Sequence, residues 1–187
     1  MKKYLWPSIK LTLLLVVLLG GIYPLFLAGI AKMAPGKGDG ITVMHNGKVV
    51  GYENIAQKFT ADKYFQPRPS AVDYNAASSG GSNKSAGNPD YLKTVAERID
   101  TFMVHNPDVK KSDIPAELVT ASASGLDPHL TPAAAYVQIS RVAKARGIAA
   151  DRLKQLIDAN TKAPVLGIFG LSTVNVLKLN IALDDLK

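Results

Sequence analysis

The stretch Leu11-Thr12-Leu13-Leu14-Leu15-Val16-Val17-Leu18-Leu19-Gly20-Gly21-Ile22-Tyr23-Pro24-Leu25-Phe26-Leu27-Ala28-Gly29-Ile30-Ala31 decides the fold class, because it carries no formal charge. At about 1.5 Å per residue, a helix from Leu11 to Ala31 spans roughly 31 Å, close to the hydrocarbon thickness of a bilayer. Thirteen of these residues are Leu, Ile, Val or Phe. Each favours insertion by about 0.3–0.6 kcal/mol near the helix centre. Gly20, Gly21, Pro24 and Gly29 take part of that back. Pro24 has no N–H for the carbonyl four residues earlier, so a kink is expected there, with a neighbouring membrane helix satisfying the freed oxygen. Gly20, Gly21, Ala28 and Gly29 allow such a neighbour to approach closely.

The flanks set an expected orientation. Lys2, Lys3 and Lys10 precede the run without an acid, whereas Lys32, Lys37 and Asp39 follow it. Positive charge retained on the cytoplasmic side places residues 1–10 in the cytoplasm, 11–31 across the membrane from Leu11 through Ile30, and 32–187 outside. The rival reading is a cleaved signal peptide with Gly29 and Ala31 at the cleavage site, but the run is long for a signal core.

Composition narrows the rest. With no cysteine, the chain has no disulfide framework, thiolate metal site or thiol nucleophile. The formal charge of +7 includes the three leading lysines. The remaining basic residues are scattered without interleaved aromatics, which speaks against nucleic acid as a partner.

Beyond the anchor, Ile41 to Met44 and Lys48 to Gly51 flank His45-Asn46-Gly47, the pattern of a hairpin with a tight turn. An irregular region follows, with Pro67, Pro69 and Ser78-Ser79-Gly80-Gly81-Ser82-Asn83. Asn88-Pro89 starts a helix whose Leu92, Val95, Ile99, Phe102 and Met103 share one face. Thr131-Pro132 starts another, running through Tyr136, Ile139, Val142 and Ala143 to a Gly147 cap. A short helix over Ala149–Ala159 points Leu153, Leu156 and Ile157 inward. Val165 to Phe169 and Val174 to Leu179 are expected to be strands. The fold class is therefore a mixed α+β domain, with strands at both ends and helices between, anchored by one N-terminal transmembrane helix.

No catalytic constellation stands out. There is no phosphate-binding G-x-x-x-x-G-K-[ST] motif, and His45, His105 and His129 lack metal-ligand spacing, so no metal site is expected. Ser122, Ser124, Asp127 and His129 supply the residue types of a hydrolytic triad. Triad members usually converge from separate elements, and Ser124-Gly125 is not inside G-x-S-x-G. The segment is more simply a turn, with Gly125 taking an unusual φ and Pro128 fixing the corner. An anchored envelope hydrolase using Ser124 and His129 is the alternative reading. Polar loops without catalysts favour a surface that docks on something else.

Four stretches resemble the C subunit of the Kdp potassium-transporting P-type ATPase. They are Tyr64-Phe65-Gln66-Pro67-Arg68-Pro69-Ser70-Ala71 with Tyr74-Asn75; Ser79-Gly80-Gly81-Ser82-Asn83 with Asn88-Pro89; Val119-Thr120-Ala121-Ser122-Ala123-Ser124-Gly125-Leu126-Asp127-Pro128-His129, continuing through Gln138, Arg141 and Gly147; and Val174-Asn175-Val176-Leu177 with Leu179-Asn180. Two places depart from the family pattern: Leu171-Ser172-Thr173 replaces a Glu-Pro-Arg-like run, and Lys84-Ser85-Ala86 replaces Leu-Gly-Pro. The resemblance implies an accessory subunit in a high-affinity potassium importer of the bacterial inner membrane. Its implied partners are a potassium-conducting subunit, an ATP-hydrolysing P-type subunit, a small membrane peptide and lipid. ATP and Mg then belong to the complex, with neither assigned to this chain.

The resemblance also implies a catalytic chaperone that raises ATP affinity, since Ser79–Asn83 resembles the signature loop of ABC-type ATPases, with Asn83 where those have Gln. An outward-facing domain cannot touch cytoplasmic ATP, so any such effect would be coupled through the membrane subunits. Arg68, Ser70, Ser79, Gly80, Gly81, Ser82, Asn83, Ser124, Asp127 and His129 are expected to act by positioning and hydrogen bonding at loops or partner contacts.

Overall fold

The computed structural model describes residues 2–186, which fall into two compact units, Met1–Thr42 and Val43–Lys187. The first is dominated by one continuous apolar rod. Helix α1 (Lys2–Val17) passes through a π-helical turn, Leu18–Ile22, into α2 (Tyr23–Ala31). The segment Lys3–Ala31 is long and apolar enough to cross a membrane, and none of it is buried against the protein. The irregularity expected at Pro24 takes the form of this wide turn. The Tyr23 N–H bonds the Leu18 carbonyl five residues back, while Ile22 and Tyr23 keep right-handed helical dihedrals. Widening the turn one residue before the proline makes room for its ring.

The second unit is mixed α and β. Strands β1 (Thr42–His45) and β2 (Lys48–Tyr52) form the expected hairpin, with Asn46 and Gly47 both at positive φ in the turn. An irregular chain then leads to α3 (Pro89–His105), capped by the Asn88 side chain, which accepts from the Tyr91 N–H. Phe102 of α3 is buried, but Leu92 is 53% exposed, so the inward face is shorter than its spacing suggests. Two short 3-10 turns lead to β3 (His129–Leu130).

Where one long helix was expected after Thr131, there are two: α4 (Pro132–Tyr136) and α5 (Ile139–Arg146). The break falls at Val137-Gln138, where the fully buried Gln138 side chain turns to bond other backbone. Gly147 closes α5 in the left-handed region at φ 67°. Helix α6 (Ala150–Ala159) buries Leu153 and Ile157 as expected, with Leu156 partly buried.

The chain end departs most from expectation. Strand β4 is only Thr161–Lys162 and β5 only Thr173–Asn175. The intervening run Val165–Phe169, expected as a strand, is a turn closed on itself, with Val165 and Phe169 exchanging two backbone hydrogen bonds of 2.9 Å. The expected strand Val174–Leu179 stops at Asn175. There the Asn175 carboxamide accepts from the Lys178 N–H and starts α7 (Val176–Asp184). Val176, Leu179, Asn180 and Leu183, all buried, recur at helical spacing, and this outweighed the alternation of Val174 and Val176. The domain therefore ends in a helix rather than a strand.

Strand β5 lies between β3 and β4, antiparallel to both, with His129 opposite Asn175 and Thr161 opposite Val174. Phe65, Ala135, Val142, Leu153, Ile157, Val174, Leu179 and Leu183 form the larger core cluster. Phe102, Leu118, Leu130, Ala134 and Val176 form a second.

Candidate functional site

Three irregular stretches, 64–75, 79–83 and 119–130, converge on one side of the domain. Their junction contains most of the polar residues expected to matter. Irregular backbone can pack together only if its N–H and C=O groups find partners, and here each stretch supplies them to another. The Ser122 N–H donates to the Pro69 carbonyl at 3.3 Å, and the Gly80 N–H donates to the Ser124 carbonyl at 2.9 Å. That same carbonyl accepts from the Ser79 hydroxyl at 3.0 Å. The Ala56 N–H, from the segment after the first hairpin, donates to the Leu126 carbonyl at 2.9 Å.

Glycines allow this close approach. Gly125 sits at φ 68°, and a side-chain carbon there would stand 2.7 Å from both the Gly80 carbonyl oxygen and the Val72 side chain. One at Gly81 would stand 2.8 Å from the Ala123 carbonyl. The glycines thus serve backbone-to-backbone packing, leaving fewer free amides to cradle a phosphate.

Each expected residue has an assignable place. Arg68 donates from Nη1 to Asp127 Oδ2 at 3.0 Å across a partly buried ion pair. The other Asp127 oxygen accepts the His129 backbone N–H at 3.0 Å, so this carboxylate bridges two loops and shapes its own turn. The Ser70 hydroxyl accepts from the Val72 and Tyr74 N–H groups, and the Tyr74 hydroxyl donates to the Arg68 carbonyl at 2.7 Å. Burial, with Asp73 adding repulsion, pushes the Tyr74 phenol up to about 12. Ser82 and Asn83 stand apart from this knot, exposed at the loop tip, with Asn83 at φ 51°.

The hydrolase constellation does not assemble. The Ser124 hydroxyl accepts from the Leu126 N–H at 3.1 Å, closing a tight turn, and no hydrogen bond joins it to the His129 ring. Asp127 lies 3.8 Å from His129 Nδ1 but gives its closer contacts to Arg68 and the His129 backbone. An open groove of about 540 Å³ runs past Arg68, Ser79, Ser124 and Asp127, with no base poised on a nucleophile.

His129 lies in a mixed field. Desolvation lowers its pKa below the ordinary 6.5, with Asp127 and Glu53 opposing and Lys162 and Lys178 reinforcing the shift. Lys162 and Lys178 both bond Glu53, at 3.0 and 2.7 Å, and hold that carboxyl below its usual value. A histidine whose folded pKa is lowered stays neutral while the unfolded chain binds a proton. Stability is therefore full above about pH 6.5 and falls as pH drops toward the folded value. His129→Gln is expected to flatten the fall in thermal stability between pH 7 and 5.5. An unchanged slope would remove His129 as its source.

A second polar network was not legible in the sequence. The segment Asp62–Gln66 has no regular structure, yet Phe65 is fully buried. The Asn180 carboxamide accepts from the Phe65 N–H and donates to the Phe65 carbonyl, both at 2.9 Å. Gln138 does the same for Gln66, at 2.8 and 3.1 Å. Arg141 donates to the carbonyls of Asp62 and Tyr64, to Asn106 Oδ1 and to Gln138 Oε1, at 2.6 to 3.1 Å. Amide and guanidinium side chains from α7 and the α4–α5 region thus replace the neighbouring strand that this segment lacks. The available signal was polar residues at core-facing helical positions, namely Gln138, Arg141 and Asn180.

The sequence matches the family described as "KdpC: K+-transporting ATPase, c chain" over residues 5–185. It is 55% identical over 185 residues to a protein named potassium-transporting ATPase KdpC subunit from Flavobacterium psychrophilum, covering 99% of this chain and 100% of that protein. Identity is 52% over 188 residues with the protein of the same name from Bacteroides fragilis, covering 99% and 98%. It is 49% over 177 residues with that from Caldanaerobacter subterraneus subsp. tengcongensis, covering 94% and 92%.

Proposed function

The chain belongs to the KdpC family, the c chain of K+-transporting ATPases, and from that premise we propose that it is the non-catalytic accessory subunit that stabilises an ATP-driven, high-affinity potassium importer. The full-length family match carries this reading. The knotted loops support it: the polar residues are spent on holding backbone together, and the chain contains no Asp-Lys-Thr-Gly phosphorylation motif. The helix Lys3–Ala31 anchors the chain in the bacterial inner membrane. Lys2, Lys3 and Lys10, ahead of its uncharged run from Leu11 to Ala31, stay in the cytoplasm, and residues 32–187 stand outside, against the potassium-conducting subunit. ATP and Mg act on the P-type subunit, and the small membrane peptide completes the assembly.

Catalytic chaperoning, in this reading, works through the membrane subunits and not through direct contact with nucleotide. Ser79, Gly80 and Gly81 are engaged by the 122–125 turn, so only Ser82 and Asn83 remain free. The test is co-expression with the other pump subunits, purification in detergent, and potassium-stimulated ATP hydrolysis. The chain is expected to co-purify, and its omission to lower assembly and activity together. Asn83→Ala is expected to change the KM for ATP less than about twofold, the scale of a lost surface contact. A chain that runs alone while the others assemble and pump normally would defeat the proposal.

A further inference from the structure

The run Ala163 to Leu177 contains no charged residue. Its middle forms the densest exposed apolar cluster of the Val43–Lys187 unit among the described residues. Val165, Leu166, Ile168, Phe169 and Leu171 are 68%, 83%, 76%, 61% and 73% exposed. At about 60–120 Å² per fully exposed apolar side chain, these fractions leave roughly 200–430 Å² open to solvent. The largest apolar patch of a domain, at about this size, is often a functional surface.

The loop is built as a knob. Val165 and Phe169 exchange N–H···O bonds in both directions, and the Gly167 N–H bonds the Pro164 carbonyl at 3.0 Å. Leu166, Gly167 and Gly170 take positive φ, so the turn is specified by its own backbone geometry. The β4 and β5 strands hold its base against β3. A surface already shaped this way loses little conformational freedom on docking.

We infer that Val165–Leu171 is a docking knob that inserts into an uncharged apolar socket on the potassium-conducting subunit of the same pump. The inference rests on the accessory-subunit reading above. Charge selects a protein socket over a lipid surface. Segments that settle on lipid combine Phe, Leu or Trp with Lys or Arg for headgroups; 163–177 has the Phe and Leu but no Lys, Arg, Trp or Tyr. The nearest cations by sequence, Lys162 and Lys178, are both bound to Glu53. A charge-free rigid cluster with one aromatic at its centre instead has the composition of an interface core. Its area supplies roughly a quarter to a half of the 800 Å² or so that one side of a standard interface buries. The segment between the anchor and the first hairpin, residues 32–41, reaches at most about 35 Å when extended, which keeps the domain beside its membrane partners.

The test is Ile168→Glu with Phe169→Glu in the full chain, co-expressed with the other subunits and purified through a tag on one of them. Co-purified chain is expected to fall about tenfold or more, as for a buried hot spot given two charges. The thermal midpoint of the chain alone in detergent should stay unchanged, because both side chains are exposed. Val104→Glu, at a 77% exposed residue of α3, should leave assembly intact. Failure of the wild-type chain to co-purify would sink the accessory-subunit reading itself. Normal recovery of the double variant would sink only the knob. A photo-crosslinker at residue 169 is expected to yield one adduct, with the potassium-conducting subunit. Adducts only to lipid, or only to a second copy of this chain, would overturn the assignment.

Discussion

Arg141→Met is expected to destabilise the Val43–Lys187 domain by about 3–5 kcal/mol, because it strands several buried acceptors at once. The Arg141 side chain is 3% exposed and donates to the carbonyls of Asp62 and Tyr64 and to the side chains of Asn106 and Gln138. Methionine fills similar space, so the loss reports hydrogen bonding more than a cavity. Each buried acceptor left unmade costs about 1–3 kcal/mol, less whatever water recovers. At about 2–4 °C per kcal/mol for a domain of this size, the thermal midpoint should fall by roughly 10 °C.

Arg141→Lys should rescue little of this, since one ammonium cannot reach the acceptors that a planar fork spans. Arg141→Met combined with Gln138→Ala should cost less than the sum of the two, because Arg141 Nη2 and Gln138 Oε1 are 2.6 Å apart and both groups hold the 62–66 segment. Thermal unfolding of the full chain in detergent, followed by circular dichroism, measures all three. A loss under about 1 kcal/mol for Arg141→Met, the size of one ordinary hydrogen bond, would show that the 62–66 segment is held by other contacts.

Gly125→Val is the second large effect, at about 3–4 kcal/mol, combining left-handed backbone strain with loop-to-loop collision. The new side chain would begin 2.7 Å from the Gly80 oxygen and 2.7 Å from Val72 Cγ2. The 79–81 loop must then lift away, breaking the bonds that Ser79 and Gly80 make to the Ser124 carbonyl. Gly147 supplies the control. Its φ of 67° is nearly the same, but nothing lies within 4 Å of a side-chain carbon there. Gly147→Ala should therefore cost only the backbone strain, about 1–2 kcal/mol. Limited proteolysis should cut within 79–87 faster in Gly125→Val and at the wild-type rate in Gly147→Ala. Equal stability losses in the two variants would mean that the loops are not clamped at Gly125.

Much of this architecture was legible in advance. The anchor follows from an uncharged run of membrane length, the first hairpin from Asn46-Gly47, and α3 from Asn88-Pro89, because each depends on neighbours in sequence. The polar residues of 68–83 and 122–129 were legible as a group but not in their pairings. Arg68 and Asp127 meet across 59 positions, and no local pattern announces that. The apolar end of the chain misled in two ways. Val165–Phe169 has strand composition, but positive φ at Leu166 and Gly167 folds it into a knob. Val174–Leu179 alternates like a strand, but the Asn175 cap turns it into a helix whose Leu179 and Leu183 fill the core.

The order of residues alone implies one apolar helix ahead of a mixed α and β domain without cysteine chemistry, since charge, length and turn residues act over a few positions. It took the packed molecule to show that Asn180, Gln138 and Arg141 stand in for a missing strand beside Phe65, and that Arg68 meets Asp127 across the loop junction. Those outcomes depend on which buried backbone groups lack partners, a condition defined only once distant segments have come together.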